Sequence, residues 1–154
     1  MKFFGIVPAL TVLTFMYALL VLLVAKEAVN IFESIDIVKK FNAKTNEVSN
    51  NEQSIDREVK EGIGSIENKT IKSSELPVVI DNIFKKIANK FSKNDTEVSY
   101  VFNINSIKIS NETHRIQVKY KINIKVVEQY FYISSETEGE KDVIVNLLED
   151  SSQS

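Results

Sequence analysis

The chain has 154 residues and a formal net charge of -2, from 19 basic and 21 acidic side chains, which allows one small domain with an accessory segment and excludes a global attraction to nucleic acid. It contains no cysteine, so disulfides, thiol nucleophiles and thiolate metal sites are excluded. With only 4 glycines and 2 prolines it also lacks glycine-rich phosphate loops and favours long, uninterrupted elements.

The first predicted element is a transmembrane helix at residues 1–25. No side chain from Phe3 to Ala25 is charged, and about twenty apolar residues at ~1.5 Å rise cross the ~30 Å core of a bilayer. A cleaved secretory signal is the competing interpretation. It would have Lys2 as its only basic residue, an apolar stretch that is too long, and Leu23 with Ala25 as a poor cleavage pair. We therefore expect an uncleaved anchor.

Residues 26–45 are predicted to continue the same helix with one apolar face. No glycine or proline lies between Pro8 and Gly62, so nothing interrupts the helix where lipid would end. This face is expected to pack against the chain's own head or, over about two heptads, against like or unlike subunits. We refer to these residues as the apolar stripe: Ala28, Ile31, Phe32, Ile35, Val38 and Phe41.

A polar linker with a weak helix is predicted at residues 46–75, because residues 42–54 are rich in asparagine. The weak helix would carry its apolar residues at positions 55, 59, 63 and 66. A compact head follows at 76–148. Its clearest helix begins near Pro77 and has an apolar face formed by Ile80, Ile83, Phe84, Ile87 and Phe91.

Strands are predicted after Asn94, where the apolar period falls to two. Residues 98–104 alternate and then lose phase, which indicates a bulge or turn near Asn105, and residues 116–126 alternate perfectly. Two shorter strands are predicted at 130–133 and 143–147. The predicted fold class is therefore α+β, with one or two helices on an antiparallel sheet of about three to five strands and a disordered tail at 149–154.

Neither a catalytic nor a metal site is predicted, so we expect a protein that is not an enzyme and uses no cofactor. His114 is the only histidine and lies in a predicted loop without a second ligand or an orienting partner. A second predicted loop carries closely spaced acids that lack the order of a specific calcium loop, which favours a solvated turn over a loose calcium site. These acids are Glu136, Glu138, Glu140 and Asp142.

A row of basic side chains is a candidate interaction face on the predicted hairpin, for acidic protein or lipid headgroups. Solubilisation of an edge strand by lysine is the competing and favoured explanation. Nucleic-acid binding would require aromatic residues on the same face, whereas Tyr120 points to the other, so nucleic acid is not predicted as a partner. A small-molecule substrate is not predicted either. The row consists of Lys108, Arg115, Lys119, Lys121 and Lys125.

Three N-x-T sequons occur, at Asn68, Asn94 and Asn111. Random order of this composition produces about two triplets of the form N-x-S/T, the full glycosylation pattern, so a total of three gives by itself no indication of glycosylation.

The side of the membrane that holds the head is predicted from two opposing signals. Lys26, Lys39, Lys40 and Lys44 follow the span, which by the positive-inside rule favours a cytoplasmic head. The short segment before the span and the lack of a cytoplasmic enzyme signature favour export. We expect a single-pass protein with its head outside the cytosol, at the cell surface or in the periplasm.

An apolar amino-terminal helix that runs into an amphipathic half and then an α+β head resembles the type IV pilin-like family and its tight-adherence minor-pilin relatives. Lys2, Gly5 and Ile6 are similar to the end of the family's leader, and Leu10 stands where members usually have glutamate. The resemblance implies that the helix packs in the core of a fibre and that the head faces outward. It implies a structural subunit of a microbial envelope assembly.

Two other functions remain open on the sequence. A membrane-anchored α+β head is also similar to the bitopic scaffold subunits of secretion and conjugation machines, which bind partners through the head. A membrane-tethered ligand sensor is the third, although no set of residues indicates its ligand. The expected partners are membrane lipid and protein subunits.

Overall fold

The structure is a computed structural model in which residues 3–151 are described. Lys2 of the leader-like segment and the last three residues of the predicted tail lie outside these residues. The chain is α+β, and its contacts divide it into two units that meet between Ala43 and Lys44. The elements in chain order are α1 (Phe3–Gly64), β1 (Thr70–Lys72), α2 (Leu76–Phe91), β2 (Thr96–Lys108), β3 (Thr113–Val127) and β4 (Tyr132–Leu148).

Helix α1 continues through Lys26 without a break, as the sequence predicts, but it does not end near residue 45. The asparagine-rich segment is helical, and α1 extends to Gly64. Packing overrides the low helix propensity of this segment, because α1 carries a second apolar face into the core of the head. The buried residues of this face are Val48, Ile55, Val59 and Ile63.

Gly62 is the point at which α1 closely approaches α2. A Cβ atom added at this position would lie 2.6 Å from Cγ2 of Ile83, well inside the contact distance of two carbons. The glycine that weakens the predicted helix is therefore required for close packing of α1 against α2.

The sheet is mixed, not purely antiparallel as predicted. Its strand order is β1-β4-β3-β2; β2, β3 and β4 are antiparallel neighbours, whereas β1 runs parallel to β4. The turn after α1 fixes this pairing, since the Asn68 N–H donates to the Ile144 carbonyl at 2.7 Å and the Asn146 N–H donates to the Lys69 carbonyl at 2.9 Å. Only three residues of β1 pair, and the sequence gives no period by which so short a strand could be predicted.

Two predicted interruptions of the sheet do not occur. Each residue of β2 from Thr96 to Lys108 pairs with one residue of β3, so there is no bulge near Asn105. The predicted acidic loop, the predicted strand at 143–147 and the second half of the strand predicted at 130–133 form one continuous strand, β4, which begins at Tyr132. Pairing with the cationic residues of β3 explains why the acids lie in a strand: Glu138 faces Lys121 and Glu140 faces Lys119.

The core of the head lies between one face of the sheet and the helices. Phe84 of α2 is 1% exposed and stacks on Tyr100 and Phe102, with 5.2 Å between ring centroids in both pairs. Its ring also meets Tyr120 edge-on at 5.4 Å. These contacts join α2 to β2 and β3, so Phe84 is the side chain around which the aromatic part of the core is built.

Tyr120 links the sheet to α1. Its ring lies over Gly139, where an added Cβ would come within 2.4 Å of the ring, so no side chain fits at position 139. The Tyr120 hydroxyl donates to the Asp56 carboxylate of α1. Burial, which has the larger effect, and the hydrogen bond to Asp56 together raise the pKa of Tyr120 far above its ordinary value. The hydroxyl therefore remains a donor throughout the physiological pH range.

A small ion-pair cluster joins the start of the head portion of α1 to the turn before β2. The Lys44 ammonium lies 2.5 Å from Asp95 and 3.1 Å from Glu47, and Lys93 lies 2.9 Å from Glu47. The hydrogen bond from Lys93, assisted by that from Lys44, lowers the pKa of Glu47; the hydrogen bond from Lys44 lowers the pKa of Asp95. Both carboxylates are therefore stabilised in their charged form by folding.

We expect Lys44→Met to destabilise the head by about 1 kcal/mol at neutral pH. Because folding lowers the pKa of both acids, their contribution is fully present above their ordinary values near 4 and is lost progressively as the pH falls from there through the lower pKa values of the folded state. Thermal melts at pH 7 and pH 3 measure this: the difference between variant and parent should be smaller at pH 3 than at pH 7. Lys40→Met, which removes an exposed pair with Asp36, is the control. An equal loss at both pH values would contradict the assignment.

Candidate assembly surfaces

The amino-terminal part of α1 is an exposed apolar surface. Within the unit that ends at Ala43, large apolar side chains from Leu10 to Val24 are between 46% and 68% exposed, and none of the most apolar window of the helix is buried. By length and composition α1 is able to cross a membrane near its amino terminus. Soluble monomers rarely expose contiguous apolar area of this size, so a surface of this kind indicates contact with lipid or with other protein.

Polar atoms in this stretch are compatible with lipid. The Thr14 hydroxyl donates to the Leu10 carbonyl, four residues earlier on the same helix. The donor is thereby satisfied without water. The next such bond, from Ser34 to the Asn30 carbonyl at 2.8 Å, lies beyond the apolar stretch and follows the same pattern.

The apolar stripe lies on one side of α1, as its spacing predicts. Ile31, Phe32, Ile35 and Val38 are between 46% and 71% exposed, Phe41 is 41% exposed, and Ala28 is half-buried. Glu33 lies on the opposite side of the helix, about 160° from Ile35. Asp36 and Lys40 form an exposed pair at 3.6 Å. The stripe is therefore an apolar seam with charged borders, the pattern of a helix that packs against another helix.

The predicted basic row does not form a basic face. Lys108 pairs with His114 and so lies on the opposite face of the sheet from Arg115, the next residue of β3. Arg115, Lys119, Lys121 and Lys125 do share the outer face. They stand beside the acidic column of β4, which has the same number of charges: Glu136, Glu138, Glu140 and Asp142.

Ion pairs neutralise much of this outer face. Lys121 lies 2.8 Å from Glu136 and 3.0 Å from Glu138. Its hydrogen bonds to these two carboxylates raise the pKa of Lys121, and the bond to Glu136 has the larger effect. Arg115 donates from Nε and Nη2 to one oxygen of Asp142, at 2.9 and 2.6 Å. The face is mixed in charge and offers no field to attract an anionic partner.

The candidate chemical features on the head are a depression on its outer face, His114 and the acids of β4. A shallow depression of about 590 Å³ lies on the outer face around Gly139, between Val101 of β2 and the Lys121–Glu138 pair. The His114 ring nitrogen Nδ1 lies 3.2 Å from the Glu112 carbonyl. Among the described residues no three histidine, cysteine or acidic side chains come close enough to hold a metal ion. The acids of β4 leave the strand on one face at about 7 Å intervals, and Glu136 and Glu138 both pair with Lys121.

The two edges of the sheet differ in charge. β1 pairs only with residues 146–148 of β4, so the rest of β4 forms one edge, and the four acids between Glu136 and Asp142 oppose its pairing with another strand. The β2 edge has no charged residue from Val98 to Ile107. Only its first part is covered: the Val98 N–H donates to the Ser92 hydroxyl at 3.2 Å. The remainder of β2 is a long, uncharged edge able to accept an added strand.

Known proteins give no guide to these surfaces. No protein-family model, no curated protein and no solved structure matches the chain. The function has to be argued from the geometry of the two units.

Proposed function

We propose that this protein is a membrane-anchored structural subunit of a microbial envelope assembly, similar in architecture to a type IV pilin or minor pilin. The supporting observation is helix α1, which is apolar and exposed at its amino-terminal end and built into the core of an α+β head at its other end. One helix thereby supplies an amino-terminal segment that contacts lipid or other protein and a carboxyl-terminal segment that packs in the core of the head.

The apolar stripe is the proposed contact between subunits. Covering one isoleucine or valine that is about half exposed yields roughly 1 kcal/mol, about half the value for complete burial. Ile31, Ile35 and Val38 together therefore provide enough to hold neighbouring helices in a membrane, where both are already oriented. Ala28, with its small side chain, lets two backbones approach closely at the start of the stripe.

The head is proposed to lie outside the cytosol, at the cell surface or in the periplasm. Its outer sheet face is mixed in charge, which suits an exposed surface that remains soluble. As the resemblance to pilins implies, the helix would lie in the core of the assembly and the head on its outside.

Cysteine cross-linking tests the proposed contact directly, because the chain contains no cysteine of its own. We expect Ile35→Cys, oxidised in the native membrane fraction, to give a disulfide-linked dimer. Glu33→Cys, on the far side of the same helix turn, should stay mainly monomeric. The readout is non-reducing electrophoresis, with a reduced sample as the reference. Equal cross-linking at both positions, or none at Ile35, would contradict a seam along the stripe.

A bitopic scaffold subunit of a secretion or conjugation machine is the second candidate. The uncharged β2 edge favours it, because such an edge can bind a partner's extended segment. Cell fractionation separates the two proposals. A subunit recovered from sheared fibres with its amino terminus processed at Gly5 favours the pilin-like function, and an intact subunit that stays in the inner membrane favours the scaffold.

A further inference from the structure

The three N-x-T sequons occupy equivalent positions in the fold. Each places its asparagine in a surface turn and its threonine at the first residue of a strand: Thr70 of β1, Thr96 of β2 and Thr113 of β3. Asn68, Asn94 and Asn111 are all exposed. The chain has eleven other asparagines, and every one of them lies in a helix or a strand.

This placement carries information that the number of triplets does not. Transfer of a glycan needs an asparagine on a surface turn, and only the sequon asparagines of this chain meet that condition. Within residues 3–151 none of their three carboxamides makes a hydrogen bond. The preference of asparagine for turns and of threonine for strands would by itself give the same placement. Measurement of the modification distinguishes the two explanations.

Exposure of the threonine distinguishes the three sites. Residues 68–70 are exposed throughout, and Asn68 has φ 59°, the left-handed conformation that asparagine tolerates in turns. Thr96, by contrast, is 5% exposed, and its hydroxyl donates to Asp95 at 3.1 Å. Thr113 is partly exposed, and its hydroxyl donates to the side-chain oxygen of Asn146 at 3.3 Å.

We propose that Asn68 is an N-glycosylation site of the exported head, that Asn111 is a weaker second site, and that Asn94 stays unmodified once the head has folded. The proposal rests on the extracytoplasmic location proposed above. The co-substrate is a sugar linked to a lipid diphosphate. The Asn68 amide nitrogen forms a bond to the anomeric carbon as the bond from that carbon to the diphosphate oxygen breaks. The lipid diphosphate leaves with the electron pair, and one amide proton passes to a base of the transferase.

The test uses the full chain purified from the membranes of its own cells. Peptide mass spectrometry should find a glycan on most copies of the Asn68 peptide, on fewer copies of the Asn111 peptide, and on none of the Asn94 peptide. Thr70→Ala should abolish modification at Asn68 while leaving the turn residue in place, and Thr70→Ser should retain it. Both substitutions are at an exposed position, so the head should fold in each.

Protease treatment of sealed vesicles and of intact cells gives the location of the head in the same preparation. An unmodified Asn68 on a head that protease reaches from outside would overturn the glycosylation proposal and leave the proposed function standing. A head found in the cytosol would overturn both. Modification that persists in Thr70→Ala would overturn the assignment of the sequon.

Discussion

The variant Ile35→Asp should weaken the proposed association between subunits about a hundredfold, with no change in the folding of the head. Ile35 is 46% exposed in the single chain and lies at the centre of the proposed stripe. An unpaired carboxylate placed in a packed apolar seam costs on the order of 3 kcal/mol, and that free energy corresponds to about a hundredfold in affinity. Sedimentation in detergent measures the association, and thermal melting reports on the head.

Asn30→Asp is the matched control for this experiment. It adds the same charge to the same unit of α1 about 140° around the helix from Ile35, away from the centre of the stripe. The control should associate like the parent. If Ile35→Asp also assembled normally, the stripe would not be the subunit contact; if both variants dissociated, net charge and not the seam would be responsible.

The variant Phe84→Ala should lower the free energy of unfolding of the head by about 3–5 kcal/mol. The ring is 1% exposed and contacts Tyr100, Phe102 and Tyr120, so its removal leaves a cavity between α2 and the sheet. The total free energy of unfolding of a domain of this size is only about 5–15 kcal/mol. The melting temperature of the head should therefore fall by roughly 12 °C or more.

Val78→Ala on the same helix is the control for the core. Val78 is 59% exposed, so truncating it should change the unfolding free energy by less than about 0.5 kcal/mol. Membrane association of Phe84→Ala should remain like that of the parent, because the apolar end of α1 is unchanged. A melting temperature within a few degrees of the parent's would contradict the central position of this ring.

The regular spacing of apolar residues was sufficient to predict the helices and strands that bury one face. The continuous helix through Lys26, α2 from Leu76, and the alternation of β3 all follow from it. The extension of α1 to Gly64 was predictable in part, since Val48, Ile55 and Val59 repeat at helical spacing, but the asparagines between them reduced the intrinsic helix preference. Packing on the sheet, which sequence does not display, decides the outcome.

The remaining differences concern pairing between elements. Between Ile133 and Val143, β4 alternates Glu136 and Glu138 with the small residues Thr137 and Gly139, so the central stretch of the strand contains no apolar residues by which to recognise it. Its identity as a strand depends on the cations of β3. Likewise, the face on which Lys108 lies depends on the register of the hairpin, and the parallel position of β1 depends on contacts made after α1 ends. None of these is a local property of the chain.

The most direct test of a helix that is both anchor and frame is a single-cysteine scan of residues 10–41 in sealed native vesicles, using a maleimide that does not cross membranes. Positions 10–24 should stay unlabelled until detergent is added. From position 26 onward labelling should appear with a helical period, strong at Glu33 and weak at Ile31, Ile35 and Val38. Immediate labelling throughout 10–24, or uniform labelling from 26 to 41, would contradict a membrane-spanning helix that continues into a packed apolar seam.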